Sequence, residues 1–163
     1  MRKMILIITA ILFVDRAARE LCVNGLQIGD GLTFEVWPVL IAFGHVRNTG
    51  FLLGVLTPPA GVLAAGWVCF VAIFIIATYK GLFDGIPNRM IYGLWLCVAA
   101  LISQAADWFL YGSVVDYVGL AIDNYGLIIN LADASLFAGV AMALSAQFEG
   151  RTAWQTEPRL TRS

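Results

Sequence analysis

Hydrophobic residues gather into four stretches along the chain, separated by polar and glycine-rich segments. The stretches cover residues of about 4–23, 59–78, 90–106 and 131–148. An α-helix needs about 20 mainly apolar residues to cross a hydrocarbon core of ~30 Å at a rise of about 1.5 Å per residue. The pattern therefore predicts four membrane-spanning helices.

The first helix begins with an apolar run, Met4 to Val14, that is too short to cross a membrane alone. No small-residue cleavage site follows, and helix-forming residues continue to Val23, so we expect a retained helix rather than a signal peptide. Asp15 and Arg19 stand four positions apart, on one face of this helix, where they can form an ion pair.

Residues 24–57 have a different pattern. Glycines and prolines interrupt any helix there, whereas Thr33 to Trp37 and Val39 to Val46 favour strands. We predict a small extracytoplasmic β-sheet between the first two helices. A sheet edge inside hydrocarbon would leave backbone donors unpaired, so this sheet must lie at the membrane surface or against the helices.

Two other segments have no predicted regular structure. Leu110 to Ile128, which contains aromatic and glycine residues, is expected to be a loop, placed where it could act as a lid. The polar tail, 149–163, is expected to be disordered and cytoplasmic. Residues 1–148 then form one domain, and the predicted fold class is an all-α membrane protein with four transmembrane helices and a small sheet.

The composition places the chain among integral membrane proteins. Of its 163 residues, 60% are hydrophobic and 13% are charged, and the mean hydropathy is +0.83. A soluble domain has about half apolar and about a quarter charged residues. The net charge of -1 leaves no basic surplus for nucleic acid, which excludes that class of partner.

The basic residues predict the orientation in the membrane. Four spans put both termini on one side, and seven basic residues lie on that side against three on the other. Basic residues are enriched on the cytoplasmic side of membrane proteins, so we expect a multi-pass protein with both termini in the cytoplasm. Asp107, Asp116 and Asp133 then lie near the outer membrane interface.

Asp116 and Asp133 are the candidate reactive pair. Two carboxylates about 3 to 5 Å apart cannot easily both ionise, so such a pair holds one proton and can act as base and acid together. Asn130 is a plausible helix N-cap with Asp133 at the third helical position, where the helix dipole favours an ionised carboxylate. We therefore expect Asp133 to ionise more readily than Asp116.

A simpler interpretation stands beside this one. Asp133 could serve only to start a helix, Asp116 could be a loop acid, and Asp15 could only pair with Arg19. Other chemistries have less support, because a single histidine, His45, and three dispersed cysteines do not make a zinc site. A serine-lysine dyad lacks an outward-facing lysine. We predict no metal and no cofactor.

Five short motifs occur in order along the chain. They are Asp15 with a basic residue four positions later, His45-Val46-Arg47-Asn48-Thr49-Gly50, an alanine-rich helix ending in Asp107, Tyr111-Gly112-Ser113-Val114-Val115-Asp116-Tyr117, and Asn130-Leu131-Ala132-Asp133-Ala134. In this order, between about Ile5 and Leu144, the sequence resembles the lipoprotein signal peptidase family, also called signal peptidase II.

The resemblance implies an aspartic endopeptidase of the bacterial inner membrane with its active site at the outer face. Its substrate would be a lipid-modified prolipoprotein, cut just before the lipidated cysteine, and its other partners would be membrane lipids; we expect a monomer. By motif match, the catalytic residues would be Asp116 and Asp133. The residues that bind substrate or support the site would be Asn48, Gly50, Asn130, Asp15, Arg19, Gln104 and Asp107.

The chain departs from the family pattern near the site. Ahead of Asp107 it has Ser103-Gln104 where the family usually has Gly-Asn, and after it Trp108 where the family has arginine; a family lysine is replaced by Arg19. Gln104 keeps an amide and Arg19 a charge, but tryptophan has no guanidinium. These departures leave open a weakened or inactive family member that binds lipidated peptides or a membrane partner. A third alternative, from the acids themselves, is a small four-span transporter or channel subunit that uses buried acids for cations or protons.

Overall fold

The computed structural model describes residues 2–50, 60–123 and 125–156, and in these the chain forms four helices and four strands. The elements in order are α1 (Arg2–Gly25), β1 (Gly31–Val36), β2 (Val39–Asn48), α2 (Ala60–Tyr79), α3 (Asn88–Tyr111), β3 (Val114–Ile122), β4 (Tyr125–Ile129) and α4 (Leu131–Thr156). The four predicted helices are present. The predicted sheet segment beyond Gly50, at 51–57, lies outside the described residues.

The predicted fold of four helices and a small sheet is confirmed in part, because the sheet is larger than predicted. Its four antiparallel strands follow the order β1-β2-β3-β4, so half of it comes from the segment between α3 and α4 that was expected to be a loop. Glycines such as Gly112 and Gly119 suggested a loop, but Val114 to Val118 are β-branched or aromatic apart from Asp116 and pair with β2. Asp116 therefore lies on a paired strand.

An irregularity in β2 decides which of its side chains face Asp116. The pairing of β2 with β3 shifts by one residue between Phe43 and Val46, as it does at a β-bulge. Beyond the shift, Val46 pairs with Asp116 and Asn48 pairs with Val114. Because neighbouring residues of a strand point to opposite faces, Asn48 lies on the Asp116 face and Arg47 on the other.

Helices α3 and α4 are both longer than predicted. α3 continues through Asp107 to Tyr111 and ends at Gly112, whose left-handed φ of 67° allows its N–H to bond the carbonyl of Trp108 at 3.0 Å. α4 continues to Thr156, so the tail expected to be disordered begins as helix. Residues 157–163 lie outside the described part of the chain.

Helices α3 and α4 approach closely at two glycines. A Cβ on Gly93 would lie 2.4 Å from the carbonyl oxygen of Gly139, and a Cβ on Gly139 would lie 2.5 Å from that of Gly93. Small residues allow such close packing of helices, which is common in membranes. The contact fixes α3, which carries Gln104, against α4, which carries Asp133.

The helices differ in how well they suit a membrane. Judged by length and composition, α3 is the one helix among the described residues that could cross a bilayer. Shorter apolar stretches, Ala65–Tyr79 and Leu131–Ala146, lie in α2 and α4. Parts of α1, α3 and α4 meet at strand β3. Tyr117 of β3 donates to Asp15 of α1 and accepts a backbone N–H of α4, and Asp107 of α3 accepts a backbone N–H of β3.

Candidate active site

Asp116 is held by two side-chain amides from different elements. One carboxylate oxygen accepts a hydrogen bond from Asn130 Nδ2 at 2.5 Å, and the other accepts one from Asn48 Nδ2 at 2.9 Å. The Asn48 amide is oriented by Gly50, whose N–H donates to Asn48 Oδ1 at 2.9 Å. Asp116 is only 1% exposed, so these two amides replace water at its oxygens.

Asp133 lies in the first turn of α4 and takes its partners from a backbone and an amide. Asn130 Oδ1 accepts the N–H of Asp133 at 2.8 Å, and Asp133 Oδ2 accepts the N–H of Asn130 at 3.2 Å. This is a reciprocal helix cap, which satisfies two N–H groups that a helix start leaves without partners. Asp133 Oδ1 accepts Gln104 Nε2 from α3 at 2.7 Å.

Asn130 connects the two carboxylates. Its side chain donates to Asp116 and accepts from the backbone of Asp133, and it is fully buried. The orientation of its amide group is fixed by these two bonds, because only the nitrogen can donate and only the oxygen can accept. Any movement of β3 relative to the start of α4 would break one of them.

Burial raises the pKa of Asp116, which makes it a weaker acid than an exposed aspartate. The loss of water around its carboxyl group raises the pKa of Asp116 to about 6, and repulsion by Asp133 acts in the same direction. The hydrogen bonds from Asn48 and Asn130 lower this pKa, because they favour the ionised form. A carboxyl group with a pKa this close to neutral pH is a candidate for proton transfer.

A buried ion cluster joins α1 to α3 next to the strand that carries Asp116. Arg19 Nε donates to Asp15 Oδ2 at 2.8 Å, which is the ion pair expected from their spacing, and a second nitrogen of Arg19 donates to Asp107. All three side chains are 0% exposed. Asp107 also accepts the backbone N–H of Val115 at 2.7 Å, which fixes the strand next to Asp116.

Asp107 has a second guanidinium partner that the sequence did not suggest. Arg16 Nη1, from α1, donates to Asp107 Oδ1 at 2.9 Å. The other nitrogens of Arg16 bond Glu20 and the hydroxyl of Tyr111. The spacing along α1 could have suggested the contact with Glu20, but nothing local links Arg16 to an acid 91 positions away.

Trp108 stands where the family pattern has arginine, and here it is part of the core. It is 7% exposed and packs with Trp67, Leu101, Ala105 and Val114. Asp107, the preceding residue, receives guanidinium groups from both Arg16 and Arg19. Gln104, the other altered neighbour, keeps an amide on Asp133.

The structure thus brings together the carboxylates and amides singled out in the sequence, and it sets other candidates apart. Asp15, Arg19 and Asp107 form the buried ion cluster. His45 is buried, and its Nδ1 lies 3.0 Å from the carbonyl oxygen of Leu26. Across the described ranges, no three histidine, cysteine or acidic side chains are grouped as a metal site would need.

Comparison with known proteins agrees with this geometry. The family model described as signal peptidase (SPase) II matches residues 7–148. A lipoprotein signal peptidase of a Synechocystis species is 29% identical over 120 residues, which is 72% of this chain and 71% of that protein. Those of Gloeothece citriformis, 27% identical, and Microcystis aeruginosa, 29% identical, match 87% and 84% of this chain and 86% of their own lengths.

Two solved structures share the fold. A bacterial membrane enzyme solved by the in meso method at 2.3 Å resolution superposes with a TM-score of 0.78 at 22% sequence identity, over 99% of this chain and 96% of that one. Another, solved at 1.9 Å resolution, gives a TM-score of 0.67 at 25% identity, over 90% and 93%. The arrangement of four helices and a four-stranded sheet is therefore that of known membrane enzymes.

Replacing Trp108 with arginine tests whether this position belongs to the apolar core in this chain. We expect Trp108→Arg to lower the free energy of unfolding by about 3 kcal/mol or more, because an unpaired charge enters an apolar cluster, and to bring no gain in activity. Thermal unfolding in detergent and a peptidase assay measure both effects, with Trp108→Phe as the apolar control. A Trp108→Arg protein that is as stable as the wild type and more active would contradict this account.

Proposed function

Because the chain belongs to the signal peptidase II family of aspartic-type endopeptidases, we propose that Asp116 and Asp133 are its catalytic pair and that it cleaves lipid-modified prolipoproteins before the lipidated cysteine. The observation that carries this proposal is the position of Asn130, which holds Asp116 through its side chain and Asp133 through both its side chain and its backbone. A helix cap alone would not require the first of these bonds.

The pair divides the work of peptide hydrolysis. With one proton between two carboxylates, the ionised one accepts a proton from the attacking water while the protonated one donates to the carbonyl oxygen of the scissile bond. Asp133, at a helix start, is the proposed base. Asp116, buried and with a pKa raised to about 6, is the proposed acid.

Asn48, Gly50, Asn130 and Gln104 orient the carboxylates in this proposal. Asp15, Arg19 and Asp107 hold the strand and the helices behind them. No step needs a metal or another cofactor, because the acids supply both proton transfers. Gln104, which departs from the family pattern, is compatible with activity, because its amide contacts Asp133.

The proposed topology places this site at the outer face of a bacterial inner membrane. All four helices cross the bilayer, both termini are cytoplasmic, and the sheet lies at the outer interface. This is supported by the gathering of the sheet and both acids where parts of α1, α3 and α4 meet. A lipid-anchored substrate could then keep its acyl chains between the helices while its scissile bond reaches the acids.

Loss of either carboxylate should abolish cleavage of a lipidated precursor. We expect Asp116→Asn and Asp133→Asn each to lower kcat by about 100-fold or more, because each removes one proton transfer. The assay follows cleavage of a synthetic lipidated precursor by purified protein in detergent. Asp123→Asn is the matched control, since Asp123 is an exposed acid in the turn after β3 and asparagine tolerates its positive φ of 51°.

The outcomes of that assay separate the candidate functions. If either dyad variant cleaves as well as wild type, the proposed catalytic pair is wrong. If the wild type binds the precursor but does not cleave it, the chain is an inactive member that only binds lipidated peptides. A chelator should leave the rate unchanged.

The two carboxyl groups should differ in acidity when each is alone. Removing the charge of Asp133 favours the ionised form of Asp116, so the pKa of Asp116 should fall below about 6 in Asp133→Asn. We expect the lone Asp133 of Asp116→Asn to titrate at a lower pH than the lone Asp116. Difference infrared titration of the carboxyl band measures both, with the double variant as background; the opposite order would reverse the assigned roles.

Cysteine labelling tests the orientation. Trp37 is 93% exposed at the β1–β2 turn, and Lys80 is exposed just after α2. In a protein whose exposed Cys69 has been changed to serine, a membrane-impermeant maleimide should label Trp37→Cys in intact spheroplasts. It should label Lys80→Cys only after lysis, and labelling of Lys80→Cys in intact spheroplasts would refute the topology.

A further inference from the structure

We propose that Tyr117 is a positioning residue that sets the separation of the two carboxylates, by joining α1 to the start of α4 through its hydroxyl group. Tyr117 touches neither Asp116 nor Asp133 through a hydrogen bond in the described structure, so it would act through the backbone on which each of them is carried. The inference rests on the proposed catalytic pair and adds a residue to it.

The hydroxyl of Tyr117 makes two hydrogen bonds to elements distant in sequence. It donates to Asp15 Oδ1 at 2.8 Å and accepts the backbone N–H of Leu131 at 3.0 Å. An ionised carboxylate can only accept and an amide N–H can only donate, so each bond has one direction. Tyr117 is 6% exposed, and no water is needed to satisfy its oxygen.

Asp15, which accepts the hydrogen bond from the Tyr117 hydroxyl, is itself held in place. The second oxygen of Asp15 accepts Arg19 Nε at 2.8 Å and the hydroxyl of Ser103. Asp15 therefore takes hydrogen bonds from its own helix, α1, from α3 and from β3. A carboxylate fixed from three elements gives the Tyr117 hydroxyl a defined position rather than a mobile partner.

Leu131, whose N–H donates to the Tyr117 hydroxyl, shows why α4 needs this hydroxyl. Leu131 is the first residue of α4, and the N–H groups of the first helical turn have no partner within the helix. The cap by Asn130 satisfies the N–H of Asp133, and Tyr117 satisfies that of Leu131. Two separate groups therefore anchor the turn that carries Asp133.

The geometry links these anchors to the reaction. Tyr117 follows Asp116 directly in β3, so their side chains point to opposite faces of the strand. On one face Asn130 joins Asp116 to the start of α4, and on the other face Tyr117 joins the same strand to the same turn. With both in place, the helix start cannot rotate or move away from the strand without losing a hydrogen bond.

The test is Tyr117→Phe, which keeps the ring and its contact with Phe43, at 6.0 Å between ring centroids, and removes only the hydroxyl. We expect kcat per folded molecule to fall by about 10-fold or more, because small displacements of reacting groups are costly, while KM stays within about two-fold, as expected when only transition-state stabilisation is lost. The amide of Leu131 should exchange its hydrogen faster. The control is Tyr92→Phe, at an exposed position of α3, which should match wild type.

The outcomes distinguish this inference from the proposed catalytic pair. If Asp116→Asn and Asp133→Asn are inactive but Tyr117→Phe has the kcat of wild type, the positioning role is wrong and the pair stands. If the variant merely unfolds more easily while kcat per folded molecule is unchanged, Tyr117 is structural only and the inference is again wrong. If the two aspartate variants are active, the proposed function itself fails.

A second substitution covers the case in which Tyr117→Phe does not fold. Replacing Tyr117 with 3-fluorotyrosine keeps the ring and the hydroxyl but makes the oxygen a weaker acceptor for the Leu131 N–H. We expect faster exchange of that amide together with a lower kcat and an unchanged KM. Unchanged exchange and unchanged kcat would overturn the proposal.

Discussion

The buried guanidinium of Arg19 is the constraint on which the rest of the site depends. Arg19 and its two carboxylate partners, Asp15 and Asp107, are 0% exposed, and a buried ion costs several kcal/mol unless an opposite charge meets it. Helices α1 and α3 must therefore pack where these charges touch. Each acid has a spare lone pair, which Asp107 uses for the backbone of β3 and Asp15 for the hydroxyl of Tyr117. The ions that align the helices therefore also fix the strand next to Asp116. We infer that they serve to set the relative positions of these elements more than to stabilise the fold.

Gln104 and Trp108, two residues that depart from the family pattern, have different places in this structure. Gln104 is longer than an asparagine by one methylene, and its amide still makes a hydrogen bond of 2.7 Å to Asp133. Asp107 receives guanidinium groups from Arg16 and Arg19 on α1. Trp108, the next residue of α3, packs in the core, because adjacent residues of a helix point in different directions. The charge of Asp107 is therefore balanced from α1, and position 108 is left to apolar packing.

Features that depend on residues close together in the sequence could be predicted from it. The helices followed from apolar runs, the Asp15–Arg19 pair from a spacing of four, and the cap of α4 from Asn130 standing three residues before Asp133. The strands β3 and β4 were missed because their glycines resemble a loop. They were missed also because β3 pairs with β2, more than 60 positions earlier, and β4 in turn pairs with β3. The contact of Asn48 with Asp116 depends on the register shift in β2, which no spacing in the sequence indicates. Contacts such as that of Arg16 with Asp107 form only after α1 and α3 have packed.

The two ends of one amide explain why asparagine stands at position 130. As a helix cap alone, aspartate or serine would serve nearly as well, since all three accept a hydrogen bond from the first turn. Aspartate, however, has no donor for Asp116 and would add a third negative charge beside two carboxylates, which would drive their protonation further. Serine has a donor but a shorter side chain, and its single oxygen would have to serve both bonds. Asparagine accepts from the N–H of Asp133 and donates to Asp116 without adding charge, so the group that starts α4 also sets the distance between the two acids.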